Sequence, residues 1–230
     1  MSLDNLLGVG IYSVPEASRL TGVSADAIRR WLWGYRHRAA DGTPVHSAPL
    51  WSPQIPVIDH SKALGFRDLI EIRFVDHFKK NGLSLRAIRG IIGAATELVE
   101  ASYPLSTVKF KTDGRRVLAE VLDGEEKRLA FDLRTGQLLF SFYWDQLYDA
   151  LEYSTYDELL RWWPLGKGHR VLVDPKRNFG QPISPEGVPT HVLADAFCAE
   201  GNIESVVSWY KVEPESVQDA VDFEHRLRAA

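Results

Sequence analysis

Arg29 and Arg30, followed by Arg36, His37 and Arg38, place five basic side chains within ten residues of one another. A guanidinium presents a rigid fork of donors that matches the O6 and N7 atoms of guanine or two phosphate oxygens, so arginines at this density suit duplex nucleic acid. No comparable set for catalysis is present. The chain has no Gly-rich phosphate loop, no His pair at metal-ligand spacing and no Ser or Cys with a recognisable base. Asp59-His60 and Asp76-His77 are sequence neighbours, which do not face each other on a helix. Cys198 is the single cysteine, which excludes a disulfide framework and a cysteine metal cage. Beside Phe197 in a helical stretch, it reads as a small buried hydrophobe. The expectation is a non-enzymatic protein with no metal and no cofactor.

The arginines need elements to aim them. Ser13 is placed to cap a first helix with Pro15 in its opening turn, and Val14, Ala17 and Leu20 follow at helical spacing up to Thr21-Gly22. Ser24 then caps a second helix. At about 100° per residue, Val23, Ala27, Ile28, Trp31 and Leu32 turn inward, while Asp26, Arg29, Arg30 and Trp33 share the outer face. Two short helices about a Gly-containing turn, the second with a basic outer face, form a helix-turn-helix with a recognition helix. The alternative is a helical hairpin with solvated arginines. The next segment is rich in Pro, Gly and small polar residues. It is either a wing, with Arg36 and Arg38 on backbone phosphate, or a surface loop packed by Trp51. The candidate DNA-binding residues are Ser24, Asp26, Arg29, Arg30, Trp33, Arg36, His37 and Arg38, and the expected ligand is double-stranded operator DNA.

Charge supports that placement. Over the whole chain the net charge is −4, but residues 1–100 carry 12 Lys and Arg against 10 Asp and Glu, whereas residues 178–230 carry 3 against 9. An acidic C-terminal segment repels phosphate. The 230 residues are 45% hydrophobic, enough for about two domains or three small modules. No run of about 18 apolar residues and no basic-then-apolar leader is seen, so a soluble cytoplasmic protein with no membrane contact is expected.

Further along, residues 65–80 form a helix apolar around most of its circumference, and residues 84–100 an amphipathic one with Arg86, Arg89, Glu97 and Glu100 outward. Either they pair two copies of the chain or they pack within one. Apolar alternation at Val108/Phe110, Val117/Ala119/Val121, Leu129/Phe131/Leu133 and Leu138/Phe140/Phe142 predicts a four-stranded antiparallel meander. Asp113-Gly114, Asp123-Gly124 and Thr135-Gly136 would serve as its turns. The aromatics after it, Trp144, Tyr148, Tyr153, Tyr156, Trp162 and Trp163 among them, would either line a ligand cavity or pack on the meander. Thr155 and Glu158 form a capping box for a helix ending near Trp163. Residues 169–183 hold a short strand and a Pro- and Gly-marked crossing. Three short helices follow, at 190–200, 203–210 and from Pro214 to about Arg228, again an HTH-like arrangement but with Glu215, Gln218, Asp219 and Asp222 on its last helix.

Two resemblances add to these readings. YSVPEASRLTGVSADAIRRW resembles the opening of MerR-type regulators, although Ala17 follows Glu16 directly and Ala25 stands where Pro is usual. More specifically, Asp174-Pro175, Phe179-Gly180, Pro182, Gly187-Val188-Pro189-Thr190, Gly201, Val206-Val207, Tyr210, Val217, Ala220 and Phe223-Glu224 resemble the C-terminal domain found in VapB-type antitoxins, filed as domain of unknown function four-three-three. The order of modules before it is also similar, so the resemblance covers nearly the whole chain. It implies a type II antitoxin that represses its own operon and neutralises a PIN-like ribonuclease toxin, while the MerR-like plan, in which dimerising helices follow the DNA-binding module, implies a homodimer built on residues 65–100. PIN-like sites are built from metal-holding carboxylates, so the resemblance makes Lys176, Arg177, Arg226 and Arg228 candidate toxin contacts, and Glu215, Asp219 and Asp222 candidates for a basic rim. The alternative is a MerR-like ligand-responsive regulator with no toxin.

The expected fold is α+β and mainly helical. Its modules are a MerR-like, winged helix-turn-helix (1–60), a helical hairpin (61–104), the meander and a helix (105–168) and an HTH-like three-helix domain (169–230).

Overall fold

The computed structural model describes residues 7–38, 41–58, 61–125 and 144–229. They form two compact units, residues 13–145 and residues 146–230 joined by residues 1–12. The fold is α+β and mainly helical, as expected.

A two-residue strand β1 (Tyr12–Ser13) leads into α1 (Val14–Thr21), the first helix of the unit formed by residues 13–145. Ser13 Oγ accepts from the Glu16 amide at 3.3 Å and Glu16 Oε2 accepts from the Ser13 amide at 2.7 Å, a reciprocal cap that satisfies two donors the helix cannot pair internally. Gly22, at φ 71°, closes α1 by donating to the Ser18 carbonyl. Ser24 caps α2 (Ala25–Trp33), accepting from the Ala27 amide at 3.3 Å. Beyond it, β2 (Tyr35–Arg38) and β3 (Pro44–Ser47) form an antiparallel hairpin, so the segment after the recognition helix is a wing.

A short strand β4 (Ala63–Leu64) precedes α3 (Phe66–Lys80), which is buried nearly all round through Phe66, Leu69, Ile70, Ile72, Phe74, Val75 and Phe78. Asp68 and Glu71 are buried on the same helix. Asp68 accepts from Trp51 Nε1 at 2.8 Å and from the Gln54 and Gly65 amides at 2.9 Å, tying the loop after the wing to the first turn of α3. Burial raises its pKa, against the pull of those donors. Glu71 accepts from the Leu105 and Ser106 amides at 3.2 and 2.9 Å. In α4 (Leu85–Val99), Ala87, Ile88, Ile91, Ile92 and Ala95 are buried within this single chain.

The meander is not found where the alternation placed it. Its first two strands fall within a helix, α5 (Val108–Glu125), and its last two, at 129–133 and 138–142, lie outside the described residues. Alternation over two or three positions fits either period. The longer buried series Phe110, Gly114, Val117 and Leu118 is spaced by four and three, the helical interval, and Thr107 Oγ1 accepts from the Phe110 amide as a cap. Asp113-Gly114 is therefore mid-helix. A Cβ on Gly114 would lie 2.9 Å from the rings of Phe110 and Trp144, so the glycine admits Trp144 against the helix. Trp144 is fully buried, its ring centre 5.4 Å from Phe110 and 6.4 Å from both Phe74 and Phe78. Here the aromatics form core.

The second unit carries a four-stranded antiparallel sheet of β5 (Leu151–Tyr153), β6 (Leu159–Trp162), β7 (Leu172–Val173) and β8 (Pro182–Ile183). The helix expected from the Thr155/Glu158 box is thus β6 of a hairpin. Ser154 Oγ, not Thr155, organises the turn by accepting from the Tyr156 and Glu158 amides at 3.1 Å. Arg161 on β6 bridges Glu152 Oε1 at 3.1 Å and Asp174 Oδ2 at 3.0 Å. The three C-terminal helices stand where expected: α6 (Thr190–Glu200), α7 (Ile203–Tyr210) and α8 (Pro214–Ala229). Leu193, Val206, Val212, Val217 and Ala220 form their core. Cys198 is exposed, on the outer side of α6 rather than in that core.

Candidate nucleic-acid interface

The ten residues from Arg29 to Arg38 run from the exposed side of α2 into the first strand of the wing. Arg29, Arg30, Arg36, His37 and Arg38 are all exposed. Ile28, Trp31 and Leu32 hold the opposite side of α2 in the core, and this fixes which way the arginines face. The passage from helix to wing runs through Gly34, at φ 70°, whose Cβ would collide with the Ser47 carbonyl on the returning strand. Only glycine lets the hairpin fold back this closely.

The side chains on this surface are oriented by neighbours. Ser24 and Asp26 stand exposed at the start of α2, and Asp26 Oδ1 accepts from Arg29 Nη1 at 3.1 Å. The Arg30 guanidinium lies 5.5 Å from the centre of the Tyr35 ring, which is 5.3 Å from that of His37. A cation over an aromatic face keeps its charge and most of its donors while losing rotamer freedom. The pairing register sets Arg36 opposite His46 and Arg38 opposite Pro44, so Tyr35 and His37 share one face of the wing, and Arg36, Arg38 and His46 the other. Arg38 Nη1 also donates to the Gly42 carbonyl at 3.3 Å across the wing tip.

Trp33 departs from its expected outward position. It is half-buried, the Lys62 ammonium sits 5.0 Å from its ring centre, and its buried Nε1 has no hydrogen-bond partner among the described residues. Lys62, Tyr35 and His46 were not among the residues picked out from sequence. His46 becomes legible once residues 44–47 are paired with 35–38, whereas nothing local announces Lys62. Arg89, read as an outward residue of α4, donates to the Ala48 and Pro49 carbonyls at 2.8 Å each and so anchors the exit of the wing.

The second set of predicted residues does not converge on one point. Lys176, Glu215 and Arg226 are exposed. Arg177 Nη1 donates to the Pro185 carbonyl at 3.2 Å, and Arg228 Nη2 pairs with Asp195 at 2.9 Å. Asp222 accepts from Gln218 Nε2 at 3.2 Å on its own helix. Asp219 turns away from solvent to accept from His169 Nδ1 at 2.9 Å and from the Arg170 amide at 2.7 Å, fastening α8 to the loop before β7. With Gly168, Glu215 and Gln218 these residues line an open surface pocket of about 400 Å³. Among the described residues no group of three His, Cys, Asp or Glu is placed to hold a metal ion, and no helix is long and apolar enough to cross a membrane.

Comparison with known proteins agrees with this geometry. Residues 10–92 match a family described as "Putative DNA-binding HTH domain", a span that takes in α1, α2, the wing and α3. Over 226 residues the chain is 24% identical to a protein named "Putative antitoxin VapB45" from Mycobacterium tuberculosis (strain ATCC 25618 / H37Rv), covering 93% of each. The X-ray crystal structure of Rv2018 from Mycobacterium tuberculosis superposes with a TM-score of 0.70 at 22% identity, covering 94% of this chain and 99% of that one, so the two share a fold. The resemblance to a VapB-type antitoxin chain thus extends over nearly the whole length.

Proposed function

We propose that this chain is the antitoxin of a type II toxin–antitoxin pair: its first unit binds double-stranded operator DNA and represses its own operon, and its second unit holds and neutralises a PIN-like ribonuclease. The observation that carries the DNA half is the exposure of Arg29 and Arg30 on α2 together with that of Arg36 and Arg38 on the wing that follows it. Arg29 and Arg30, from the recognition helix, reach base edges or phosphates in the major groove, and the wing arginines track the backbone. Ser24 and the first amides of α2 approach a phosphate, and Asp26 holds Arg29 in place. The antitoxin half is supported by the name of the relative that matches along 93% of this chain. On this reading the partner meets the second unit through Lys176, Arg177, Arg226 and Arg228 or through Glu215, Asp219 and Asp222. The DNA-bound form is a homodimer in the cytoplasm, and no catalytic step belongs to the chain.

A gel-shift assay with the chain's own upstream DNA tests the reading. The wild-type protein shifts it, and Arg29→Ala with Arg30→Ala loses the shift while keeping the helical circular-dichroism signal. Undiminished binding by the double variant would remove α2 from the interface.

A further inference from the structure

One turn of the second unit sets left-handed residues in succession. Asn178, Phe179 and Gly180 have φ values of 45°, 54° and 82°, three left-handed residues in succession, two of which carry a Cβ. L-residues avoid this region because Cβ crowds the following carbonyl, so such a turn persists only where its surroundings over-determine it. The surroundings do so here. The Ile11 amide donates to the Phe179 carbonyl at 3.1 Å and the buried Tyr12 hydroxyl donates to the Gly180 carbonyl at 2.7 Å. The Gly180 amide reaches the Arg177 carbonyl at 2.9 Å and the Gln181 amide the Asn178 carbonyl at 3.0 Å. A side chain at Gly180 would run into the Tyr12 hydroxyl.

This restraint does not bury Phe179. Its side chain is 72% exposed, and on the adjoining N-terminal segment Leu7 and Ile11 are 74% and 37% exposed. Lys176, three residues before the phenylalanine, is exposed, and no side chain among the described residues pairs with its ammonium. Neighbouring cations are committed: Arg161 to Glu152 and Asp174, Arg170 to Glu186, and Arg177 to a carbonyl. The turn therefore holds an aromatic ring in solvent, beside two aliphatic side chains and a free ammonium.

We infer that the Asn178–Gly180 turn is the anchor by which a protein partner docks, with the Phe179 ring entering an apolar socket and Lys176 meeting a carboxylate at its rim. A rigid, pre-formed aromatic loses little conformational freedom on burial, which is why such residues dominate interface energetics. Charge selects this occupant over nucleic acid. Nucleic acid would meet a segment, residues 146–230, with 14 Asp and Glu against 8 Lys and Arg. The inference rests on the proposed antitoxin reading and names the place where the partner ribonuclease is held.

The test uses the full chain and the purified product of the reading frame adjacent to its gene, with affinity measured by calorimetry. Phe179→Gly relaxes the left-handed backbone, so the thermal midpoint is expected to hold or rise while affinity falls by about thirtyfold or more. Phe179→Tyr keeps affinity within about threefold, and Lys176→Glu weakens it by about tenfold with a reduced dependence on salt. Binding by Phe179→Gly equal to wild type overturns the anchor. So does unfolding of that variant, which would make the ring structural. A concentration-dependent dimer of the chain alone that Phe179→Gly abolishes would assign the turn to a second copy instead. A wild-type chain that ignores the adjacent product overturns the antitoxin reading itself, and that outcome is distinct from a wild-type complex that tolerates Phe179→Gly.

Discussion

Glu71 offers a quantitative check on how the first unit is held together. It is 1% exposed, and its carboxyl caps the chain entering α5 through the Leu105 and Ser106 amides. Burial pushes its pKa from 4.5 up to about 7, with the nearby Asp68 adding to the rise and the two amides together with the Ser106 side chain opposing it. An acid whose pKa is raised on folding binds its proton more tightly in the native state. Its contribution is fully present below about pH 4.5 and is lost as pH climbs to about 7. At 1.36 kcal/mol per unit, a shift of about 2.5 units corresponds to about 3 kcal/mol. Glu71→Gln keeps an acceptor for the amides and removes the titration. Urea unfolding of both proteins from pH 4.5 to 8, followed by tryptophan emission, gives the wild-type-minus-variant difference, in which other titrating groups largely cancel. That difference should turn against the wild type by about 3 kcal/mol across the interval. A difference independent of pH, or one that favours the wild type as pH rises, would refute the assignment of Glu71 as a buried carboxyl that folds protonated.

Other substitutions test separate joints. Gly34→Ala sets a Cβ against the Ser47 carbonyl in left-handed backbone, so the wing should detach or shift at a cost of more than about 1 kcal/mol, with DNA affinity falling although no cation is touched. An unchanged affinity would show that the wing is dispensable. Gly114→Val should destabilise the first unit by about 2 kcal/mol or more through overpacking against Phe110 and Trp144, read by chemical denaturation. Arg161→Met leaves Asp174, whose side chain is 8% exposed, without its guanidinium and should cost about 2–3 kcal/mol in the second unit, seen as a lowered thermal midpoint.

The parts of the fold legible from sequence were those where local signals and long period agreed. The Ser13 and Ser24 caps, the Gly22 stop, the apolar circumference of α3 and the three C-terminal helices all stand where their residues placed them. The meander was misplaced because Asp113-Gly114 has the composition of a turn, while the reason for its glycine, the ring of Trp144 thirty residues away, is a tertiary fact. Likewise the helix read from the Thr155/Glu158 box is a Ser154-organised turn and strand β6, because a strand partner, β5, lies beside it. The basic surface was visible as a run of arginines, but Lys62 over Trp33 and Arg89 on the wing exit depend on packing between elements distant in the chain. Asp68 and Glu71 were hidden for the same reason. A carboxylate on a buried helix is intelligible only once the amides it accepts from are known.

The central proposal is that α2 and the wing together grip duplex DNA, and the salt dependence of binding measures it most directly. Fluorescence anisotropy with the chain's own upstream DNA, titrated between 50 and 200 mM salt, yields the slope of log affinity against log salt. If Arg29, Arg30, Arg36 and Arg38 each neutralise a phosphate, the wild-type slope should be about −3.6 per protomer bound, and Arg36→Ala with Arg38→Ala should reduce its magnitude by about 1.8. A wild-type slope near zero, or one that the wing double variant leaves unchanged, would contradict the account.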